Sequence, residues 1–319
     1  MYEFVLPKIL NAYGINYLRI YDCQKGYRNE IWPVLTSDNQ IINVTFFKRE
    51  VGIVDRIRRA DDVSEYLWQN KMAVRRRIYP QIIRLKSKKQ VIYAAVYNYL
   101  PGKTIPWEAY TMEHIKNLGA KMSDIHYILA NKEFVNLPSV YDEYLSIVSR
   151  MIIYFEDKNV KRAISDKLKL KVDVDSLKSY IKLLENMKLL PNQQALHMDF
   201  VRGNVLFAEK EISGVIDFEK AALGHCVVDI ARTLAFLLVD CKYKTNEKVY
   251  KYFLYSGYKK RGRNKDIGND MIRNKLVNMF LMYDFYKFLR HNHYESLSLN
   301  EHFIRTKDIL IKYGVIIYR

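Results

Sequence analysis

Hydrophobic and polar residues alternate in short runs through the first hundred residues, and turn-forming residues separate these runs. Residues 31–35 and 41–48 are β-prone runs joined by a Ser-Asp-Asn turn, and residues 90–98 place apolar side chains on both faces of a further strand. A polar turn with Gly26 precedes them, and residues 6–14 have the proline and glycine that bracket a short helix. The pattern predicts a small antiparallel sheet.

An apolar period of three to four residues predicts a helix at residues 51–71 and dominates the chain beyond Pro101. It is clearest in residues 112–129, which carry one apolar stripe. Residues 158–171 are basic and polar, and predict a solvated connection. Further helices are predicted at residues 141–156, 174–189, 227–239, 247–258, 271–291 and 301–313. We therefore expect an α+β fold, with the sheet before the helical part.

The chain has 319 residues, of which 49% are hydrophobic, so it can bury a substantial core. No apolar run approaches the roughly 20 residues that cross a bilayer. The N-terminus lacks the pattern of a cleavable signal, and we expect a cytoplasmic protein. The three cysteines, Cys23, Cys226 and Cys241, have neither the number nor the spacing of a disulfide framework or a zinc site.

The formal net charge of +17 is compatible with a nucleic acid, an anionic substrate or a lysine-rich surface. The basic clusters at residues 56–59, 75–77 and 259–263 are dispersed along the sequence, which favours a solvated surface. A positive field would attract a nucleoside triphosphate. It would oppose a polycationic acceptor unless the acceptor pocket were acidic.

The stretch from residue 195 to residue 232 carries the candidate chemistry. Two β-prone runs, residues 205–208 and 212–216, predict a hairpin, and a turn at Lys210 and Glu211 would set Asn204 opposite Asp217. Side chains paired in this way lie roughly 4.5–5.5 Å apart at Cβ, so their oxygens could reach one Mg²⁺ at about 2.1 Å. A slip of one residue would put the two side chains on opposite faces.

Asp199 precedes Asn204 by a segment long enough to form a loop. An acid beside a divalent cation stays ionised, and it can accept the proton of a hydroxyl that attacks a γ-phosphate. The sequence therefore offers Asp199 as a catalytic base.

The pattern HxDx₄N from His197 to Asn204, the run GVIDFE that contains Asp217 and the run AxGx₄D that ends at Asp229 follow in order. Together they resemble the signature of the aminoglycoside phosphotransferase and choline kinase-like family, small-molecule kinases with a two-lobed, protein-kinase-like fold. The resemblance implies that Asp199 is the catalytic base and that Asn204 and Asp217 are Mg²⁺ ligands. It also implies that His197 and Asp229 support the catalytic loop.

Two positions depart from the family pattern: Met198 stands where many relatives have glycine, and Phe200 where many have leucine or isoleucine. Neither removes a charged or metal-binding group. The helix at residues 112–129 matches the family's Leu-Gly-x₂-Leu-x₂-Leu-His helix through Gly119 and His126.

The resemblance also implies residues for the nucleotide. The turn at Gly26 would cover the phosphates. Lys48 follows the apolar face of a strand and looks like the family's strand-three lysine, which grips the α and β phosphates. Its carboxylate partner would be Asp61, Asp62 or Glu65, of which we prefer Glu65.

The resemblance makes Asn98, Tyr99 and Leu100 the hinge whose backbone would bond the nucleotide base. It implies a nucleotide-binding lobe at residues 1–100 and a catalytic and acceptor-binding lobe at residues 101–319, with ATP or GTP between them. The last helices offer mainly aromatic residues, with Asp284 among them, and these are more simply explained as core than as an acceptor pocket.

We thus predict Mg²⁺-dependent transfer of the γ-phosphate of ATP or GTP to a hydroxyl of a small molecule, an antibiotic or a metabolite. A protein kinase is disfavoured because only eleven residues separate Asp217 from Asp229 and Asp-Phe-Glu replaces Asp-Phe-Gly. The alternatives are a non-catalytic kinase-like structural protein and a basic RNA-binding protein. The expected partners are a nucleoside triphosphate and a small hydroxyl acceptor, without a membrane or a nucleic acid.

Overall fold

The computed structural model describes residues 3–26, 29–48, 50–86 and 91–318. The strands in these ranges are β1 (Tyr17–Ile20), β2 (Gln24–Lys25), β3 (Asn29–Thr36), β4 (Ile41–Phe47), β5 (Ile83–Lys86), β6 (Val91–Asn98), β7 (Leu170–Val172), β8 (Gln194–Leu196), β9 (Val205–Ala208), β10 (Glu211–Val215), β11 (Ala222–Gly224) and β12 (Ile316–Tyr318).

The α-helices in the same ranges are α1 (Leu6–Ala12), α2 (Ile53–Gln69), α3 (Met112–Leu129), α4 (Val140–Glu156), α5 (Lys158–Ala163), α6 (Val174–Lys188), α7 (Cys226–Asp240), α8 (Asn246–Tyr250), α9 (Asp270–His291), α10 (Tyr294–Leu297) and α11 (Glu301–Lys312). Short 3₁₀-helices occur at Trp107–Ala109 and Arg202–Asn204, and π-helical segments at Ile164–Leu168 and Lys251–Lys259. No helix in the described ranges is long and apolar enough to cross a bilayer.

By its internal contacts the chain divides into two compact units. The first comprises the described residues up to Thr104 together with Asn204–Lys220, and the second comprises Ile105–Gly203 and the described residues from Ala221 onward. The α+β fold class predicted from the sequence is confirmed, because the first unit contains an antiparallel sheet and the second is mainly helical. The division of functions between residues 1–100 and 101–319 stays a prediction.

The first unit is built on a six-stranded antiparallel sheet in the order β1-β3-β4-β6-β5, with β2 paired to β3. The side chains of β4 alternate between its two faces. Val44 and Phe46 are buried in a core shared with α1, whereas Phe47 is buried in a second core with Ile53 and Ile57 of α2. One helix therefore covers each face of the sheet.

The hairpin of β9 and β10 does not have the turn that the sequence predicted. Glu211 pairs with Ala208, so that Glu209 and Lys210 form the turn, rather than Lys210 and Glu211. Glu209 adopts the left-handed conformation, with φ of 54°, which compensates for the missing Asn-Gly or Asp-Gly sequence.

A bulge between Ile212 and Gly214 then moves the register back by one residue. As a result the N–H of Ile216 donates to the carbonyl of Asn204 at 2.9 Å. The prediction that Asn204 lies directly opposite Asp217 is therefore wrong, although the two residues remain next to one shared backbone hydrogen bond. A bulge leaves no clear mark in the sequence, so the register could not be counted from the turn.

In the second unit the predicted helices are present with small changes at their ends, except that the predicted helix at residues 247–258 is π-helical from Lys251 onward. Residues 158–171 are mostly exposed, as predicted, but they are not an irregular connection. They form α5, a π-helical segment and the start of β7, with Ile164 and Leu170 buried. β7 pairs with β12 near the C-terminus. This regular structure was not predicted because only two apolar residues anchor it in a lysine-rich stretch, and the strand partner of β7 is far away in sequence.

Gly119 of α3 faces the π-helical segment Lys251–Lys259 at very short range. A Cβ atom at this position would lie 2.1 Å from the carbonyl oxygen of Phe253 and 2.9 Å from the backbone nitrogen of Tyr258. Because backbone atoms cannot move aside without displacing a whole segment, only glycine fits here.

We expect Gly119→Ala to lower the free energy of unfolding by about 1–3 kcal/mol, because the overpacking outweighs the better helix propensity of alanine. Urea unfolding would measure this change. The matched control is Gly203→Ala, where an added Cβ meets nothing within 4 Å. Equal stability of the two variants would contradict the close packing at Gly119.

Candidate active site

The loop that carries Asp199 leaves β8 and ends in the 3₁₀-helix before β9. Met198 has a left-handed backbone, with φ of 60°, and the N–H of Val201 donates to the carbonyl of Asp199 at 2.8 Å. The chain therefore reverses tightly on both sides of Asp199. Its side chain is half-buried at this turn.

The loop backbone is held by the carboxylate of Asp229, from the first turn of α7. The backbone N–H groups of His197 and Met198 donate to its two oxygens at 2.8 and 3.0 Å. These bonds are formed by main-chain groups, so they fix the left-handed turn at Met198 directly. Asp229 itself is completely buried.

His126 of α3 completes the surroundings of this buried acid. Its Nε2 lies 3.2 Å from Asp229 Oδ2, and its Nδ1 lies 2.7 Å from the hydroxyl of Tyr258. Burial raises the pKa of Asp229, but the hydrogen bond and charge of His126, together with His197, bring this pKa below its usual value. In the sequence, His126 was matched only to the family's Leu-Gly-x₂-Leu-x₂-Leu-His helix, and no role in the site was predicted for it.

His197 acts on the backbone of Asp199 itself. The N–H of Asp199 donates to His197 Nδ1 at 3.2 Å, and the ring of Phe200 packs edge-on against the His197 ring. His197 is buried. The loop is therefore fixed by two residues that the resemblance had offered as supports, His197 and Asp229.

Arg232, one turn after Asp229 on α7, is a buried cation that sequence reasoning missed. Its NH1 and NH2 donate to the two oxygens of Asp284 at 2.9 and 3.4 Å, and its guanidinium lies 3.9 Å from the Phe236 ring centroid. Burial lowers the pKa of Arg232, but the charges of Asp284, Tyr144 and Asp199 raise it above its usual value. The charges of Asp199 and Arg232 therefore interact.

A cavity of about 390 Å³ lies in the same unit, and helices α7, α9 and α11 provide its walls. The lining side chains include Phe236, Asp240, Asp284, Lys287, Phe288 and His302. Asp240 Oδ1 lies 2.9 Å from His302 Nδ1, and this hydrogen bond raises the pKa of His302. The cavity thus combines two aromatic walls with groups of both charges. Asp284, which the sequence grouped with core residues, is part of it.

In the first unit, Asn204 is buried and Asp217 is half-buried. Both lie at the open end of the β9–β10 hairpin, where Asn204 precedes β9 and Asp217 follows β10. Asp217 has a left-handed backbone, with φ of 66°, and its Oδ1 accepts the N–H of Glu219 at 3.4 Å. Amide and carboxylate oxygens are hard donors of the kind that Mg²⁺ prefers. That these two residues share one ion, and that Asp199 converges with them, stays a prediction.

A second cavity, formed within the first unit, is lined by the predicted hinge residues Asn98, Tyr99 and Leu100. The side chain of Asn98 is not available to a ligand, because its Nδ2 donates to the carbonyl of Val74 and its Oδ1 accepts the N–H of Arg76. These bonds anchor the end of β6 to the segment that follows α2.

Gly26 lies at the end of β2, where its N–H donates to the carbonyl of Asn29 at 2.9 Å. A Cβ at this position would lie 3.3 Å from the same oxygen, so glycine suits the close approach. The predicted phosphate-covering turn continues into residues 27 and 28, which lie outside the described residues.

The predicted pair of Lys48 and Glu65 is not formed. Lys48 is exposed directly after β4. Glu65 Oε2 instead accepts a hydrogen bond from Arg76 Nε at 2.7 Å, and Asp61, another of the offered partners, lies 3.0 Å from Arg77 Nε. Burial raises the pKa of Asp61 to about 6. The acids of α2 therefore pair with arginines from the cluster at residues 75–77, which the sequence placed on a solvated surface.

A trio of potential ligand groups, His225, Cys226 and Asp266, lies elsewhere in the second unit. His225 Nε2 is 3.4 Å from Asp266 Oδ2, and the thiol of Cys226 contacts the Asp266 carbonyl at 3.5 Å. Burial raises the pKa of Cys226 to about 12, which keeps the thiol protonated. The trio is bonded within itself and needs no ion.

Residues 23–240 match the sequence pattern of the phosphotransferase enzyme family. The match covers more than half of the chain, so the chain belongs to this family. The class of protein that fold and family define is a small-molecule phosphotransferase. No curated protein matches the sequence.

Several solved structures have the same fold at low sequence identity. A microcompartment-associated aminopropanol kinase has a TM-score of 0.71 and 12% identity, covering 97% of this chain and 99% of that chain. The amicoumacin kinase hAmiN, in complex with AMP-PNP, Ca²⁺ and Ami, has a TM-score of 0.69 and 14% identity over 98% and 94%. The macrolide 2'-phosphotransferase MphH from Brachybacterium faecium has a TM-score of 0.59 and 13% identity over 97% of both chains.

We expect Asp229→Asn to lower the free energy of unfolding by about 2–4 kcal/mol, since it leaves His126 and two loop N–H groups facing a neutral amide. Chemical unfolding at neutral pH would measure the loss. The control is Asp175→Asn in α6, because the Asp175 side chain is 91% exposed. A loss no larger than that of the control would contradict the role of the buried carboxylate.

The lowered pKa of Asp229 also predicts how stability depends on pH. A carboxylate with a depressed folded-state pKa stabilises the fold above the pKa of the unfolded chain, and this contribution is lost as pH falls through the folded value. We therefore expect the stability difference between wild type and Asp229→Asn to be constant at neutral pH and to shrink below about pH 4. Urea unfolding across this range tests it, and a difference that does not change with pH would contradict it.

Proposed function

We propose that the chain transfers the γ-phosphate of ATP or GTP to a hydroxyl of a small molecule, with Asp199 as the catalytic base. The observation that carries the proposal is the fixed backbone around Asp199. The buried bonds from Asp229 and His197 hold this turn before any substrate arrives. A base that is already positioned does not lose orientational freedom during the reaction, which is a large part of phosphoryl-transfer catalysis.

In this proposal the carboxylate of Asp199 accepts the proton of the acceptor hydroxyl while the hydroxyl oxygen attacks the γ-phosphate. The charge of Asp199 acts on the guanidinium of Arg232, one turn after Asp229 on α7. Arg232 is in turn held by Asp284, so its own position is set by a buried pair.

Asn204 and Asp217 are the residues that would hold Mg²⁺. Their donor atoms suit the ion. At the open end of the hairpin, the carbonyl of Asn204 accepts the N–H of Ile216, the residue before Asp217. The ion, when bound, would neutralise charge on the phosphate oxygens. The donor nucleotide would enter through the cavity of the first unit, next to the backbone of Tyr99 and Leu100. The nucleotide complex of the amicoumacin kinase, which shares the fold, supports a nucleotide donor.

The acceptor would occupy the cavity between α7, α9 and α11. Its size suits a small organic molecule. Phe236 and Phe288 offer apolar walls, and Asp240, which already bonds His302, offers a carboxylate that could bind a polar or cationic group. Proteins of this fold act on antibiotics and on an amino alcohol, as the names of the macrolide phosphotransferase and the aminopropanol kinase state. An antibiotic or a metabolite hydroxyl is the acceptor class that we propose.

We expect Asp199→Asn to lower kcat by about 10²–10⁴-fold, because the amide cannot accept the hydroxyl proton. The affinity for the Mg²⁺–nucleotide should change little. Nucleoside diphosphate release, measured with ATP and with GTP against a panel of antibiotics, amino alcohols and sugars, gives the rate. Titration calorimetry with a non-hydrolysable triphosphate gives the affinity.

Asp175→Asn serves as the control, with wild-type rate and affinity expected because its side chain is exposed. Full turnover in Asp199→Asn would rule out this base. If the wild-type protein bound triphosphate and released no diphosphate with any acceptor, a non-catalytic kinase-like protein would be the better description. Salt-sensitive RNA binding that Asp199→Asn leaves unchanged, without triphosphate binding, would favour the RNA-binding alternative.

A further inference from the structure

The segment after α2 is joined by backbone bonds to two strands of the first unit. The N–H of Arg75 donates to the carbonyl of Val215 on β10 at 3.0 Å, and the N–H of Val215 donates to the carbonyl of Ala73 at 3.0 Å. On the other side, the N–H of Asn98 donates to the carbonyl of Arg76 at 3.0 Å. The backbone of the segment that contains Arg75 is thus hydrogen-bonded to β6 on one side. On the other side it is hydrogen-bonded to β10, which leads directly to Asp217.

The guanidinium of Arg75 is buried and has a defined orientation. Its Cζ lies 4.5 Å from the centroid of the Tyr97 ring, and its NH2 lies 3.9 Å from Glu219 Oε1. Burial lowers the pKa of Arg75, but Tyr97, Asp217 and Glu219 raise it above its usual value. Arg75 therefore stays charged beside the acid that would hold Mg²⁺.

Glu219 is fixed by further contacts. Its Oε1 accepts a hydrogen bond from Asn29 Nδ2 at 2.8 Å, and its Oε2 lies 3.4 Å from Arg56 Nε. Burial and the charge of Asp217 raise the pKa of Glu219, whereas Arg75 and Arg56 oppose that rise. The carboxylate beside Arg75 is thus held in place from two directions.

Arg75 lines the cavity that also contains the predicted hinge residues. From β4, the same cavity is lined by Asn43 and Thr45. Thr45 is the strand residue beside the cavity, and among the described residues its buried hydroxyl has no hydrogen-bond partner. Among the described residues that line this cavity, Arg75 is the one with a charged side chain.

The alternation of β4 explains why Lys48 is not that cation. Residues 43 and 45 face the cavity, whereas Val44 and Phe46 are buried in the core on the side of α1. Lys48 has the parity of Val44 and Phe46, so the strand direction takes it away from the cavity. Two of the three acids of α2 offered as partners of the lysine, Glu65 and Asp61, are bound to Arg76 and Arg77 instead.

We infer that Arg75, held by Glu219 and Tyr97, is the cation that contacts the phosphates of the donor nucleotide, in place of Lys48. A guanidinium offers several N–H donors in a planar fork and can bond two phosphate oxygens at once, which an ammonium cannot do in the same geometry. This inference rests on the proposed function, because it assigns the phosphate-binding residue of the same reaction.

The test compares binding of a non-hydrolysable ATP analogue with Mg²⁺ and binding of adenosine, both by titration calorimetry on the full chain. We expect Arg75→Gln to weaken triphosphate binding by about 10- to 100-fold, because a charged hydrogen bond is lost, and to leave adenosine binding within about 3-fold. Lys48→Gln should keep the triphosphate affinity within about 3-fold. Arg76→Gln is a matched control, since Arg76 is the neighbouring arginine and is bound to Glu65.

Arg75→Lys keeps the protein testable if Arg75→Gln does not fold. It retains the charge and loses the fork, so triphosphate binding should weaken by about 3- to 10-fold with adenosine binding unchanged. Unchanged triphosphate affinity in a folded Arg75→Gln, or in Arg75→Lys if Arg75→Gln does not fold, would overturn the inference. A loss of about 10-fold or more in Lys48→Gln would overturn it as well. A wild-type chain that binds no triphosphate would overturn the proposed function itself, which is a distinct result.

Discussion

The loop that carries Asp199 depends on one buried carboxylate. Asp229 accepts the backbone N–H groups of His197 and Met198 and lies against His126, inside a helical unit where water cannot substitute for any of these partners. An unpaired charge at this depth would be strongly unfavourable, so the carboxylate and its donors require one another. The left-handed turn at Met198 persists because this network fixes it.

This network also explains why the Asp199 loop is connected to distant parts of the second unit. Asp229 lies on α7, His126 on α3, and Tyr258 in the π-helical segment that packs against α3. The close approach of that segment to Gly119 places the Tyr258 hydroxyl within reach of His126. The geometry at Asp199 is therefore set by helix packing, and the loop sequence alone does not determine it.

The sequence predicted the parts of the site that follow from local spacing and missed those that follow from side-chain direction. The order of Asp199, Asn204, Asp217 and Asp229 was enough to indicate the family. The hairpin register could not be counted, because a bulge changes it without a clear sequence signal. The helices of the second unit were found by their apolar period, whereas β7 was missed because its strand partner is distant in sequence.

The proposed exchange of Lys48 for Arg75 has a physical reason that can be generalised. Lys48 ends an apolar strand face, and that face is the one covered by α1, opposite to the cavity. From composition alone, residues 75–77 were predicted to be a basic cluster on a solvated surface. The structure uses each arginine differently: Arg76 and Arg77 neutralise acids of α2, and Arg75 is buried beside Tyr97.

The same arrangement accounts for Asp-Phe-Glu where protein kinases have Asp-Phe-Gly. A glycine after Phe218 could not hold a guanidinium, whereas Glu219 lies next to both Arg56 and Arg75. Burying an arginine without an acid is costly, and Glu219 is one of the acids that offset this cost, together with Asp217 and Asp61. The departure from Asp-Phe-Gly thus places an acid beside the buried guanidinium of Arg75, at the cavity of the first unit.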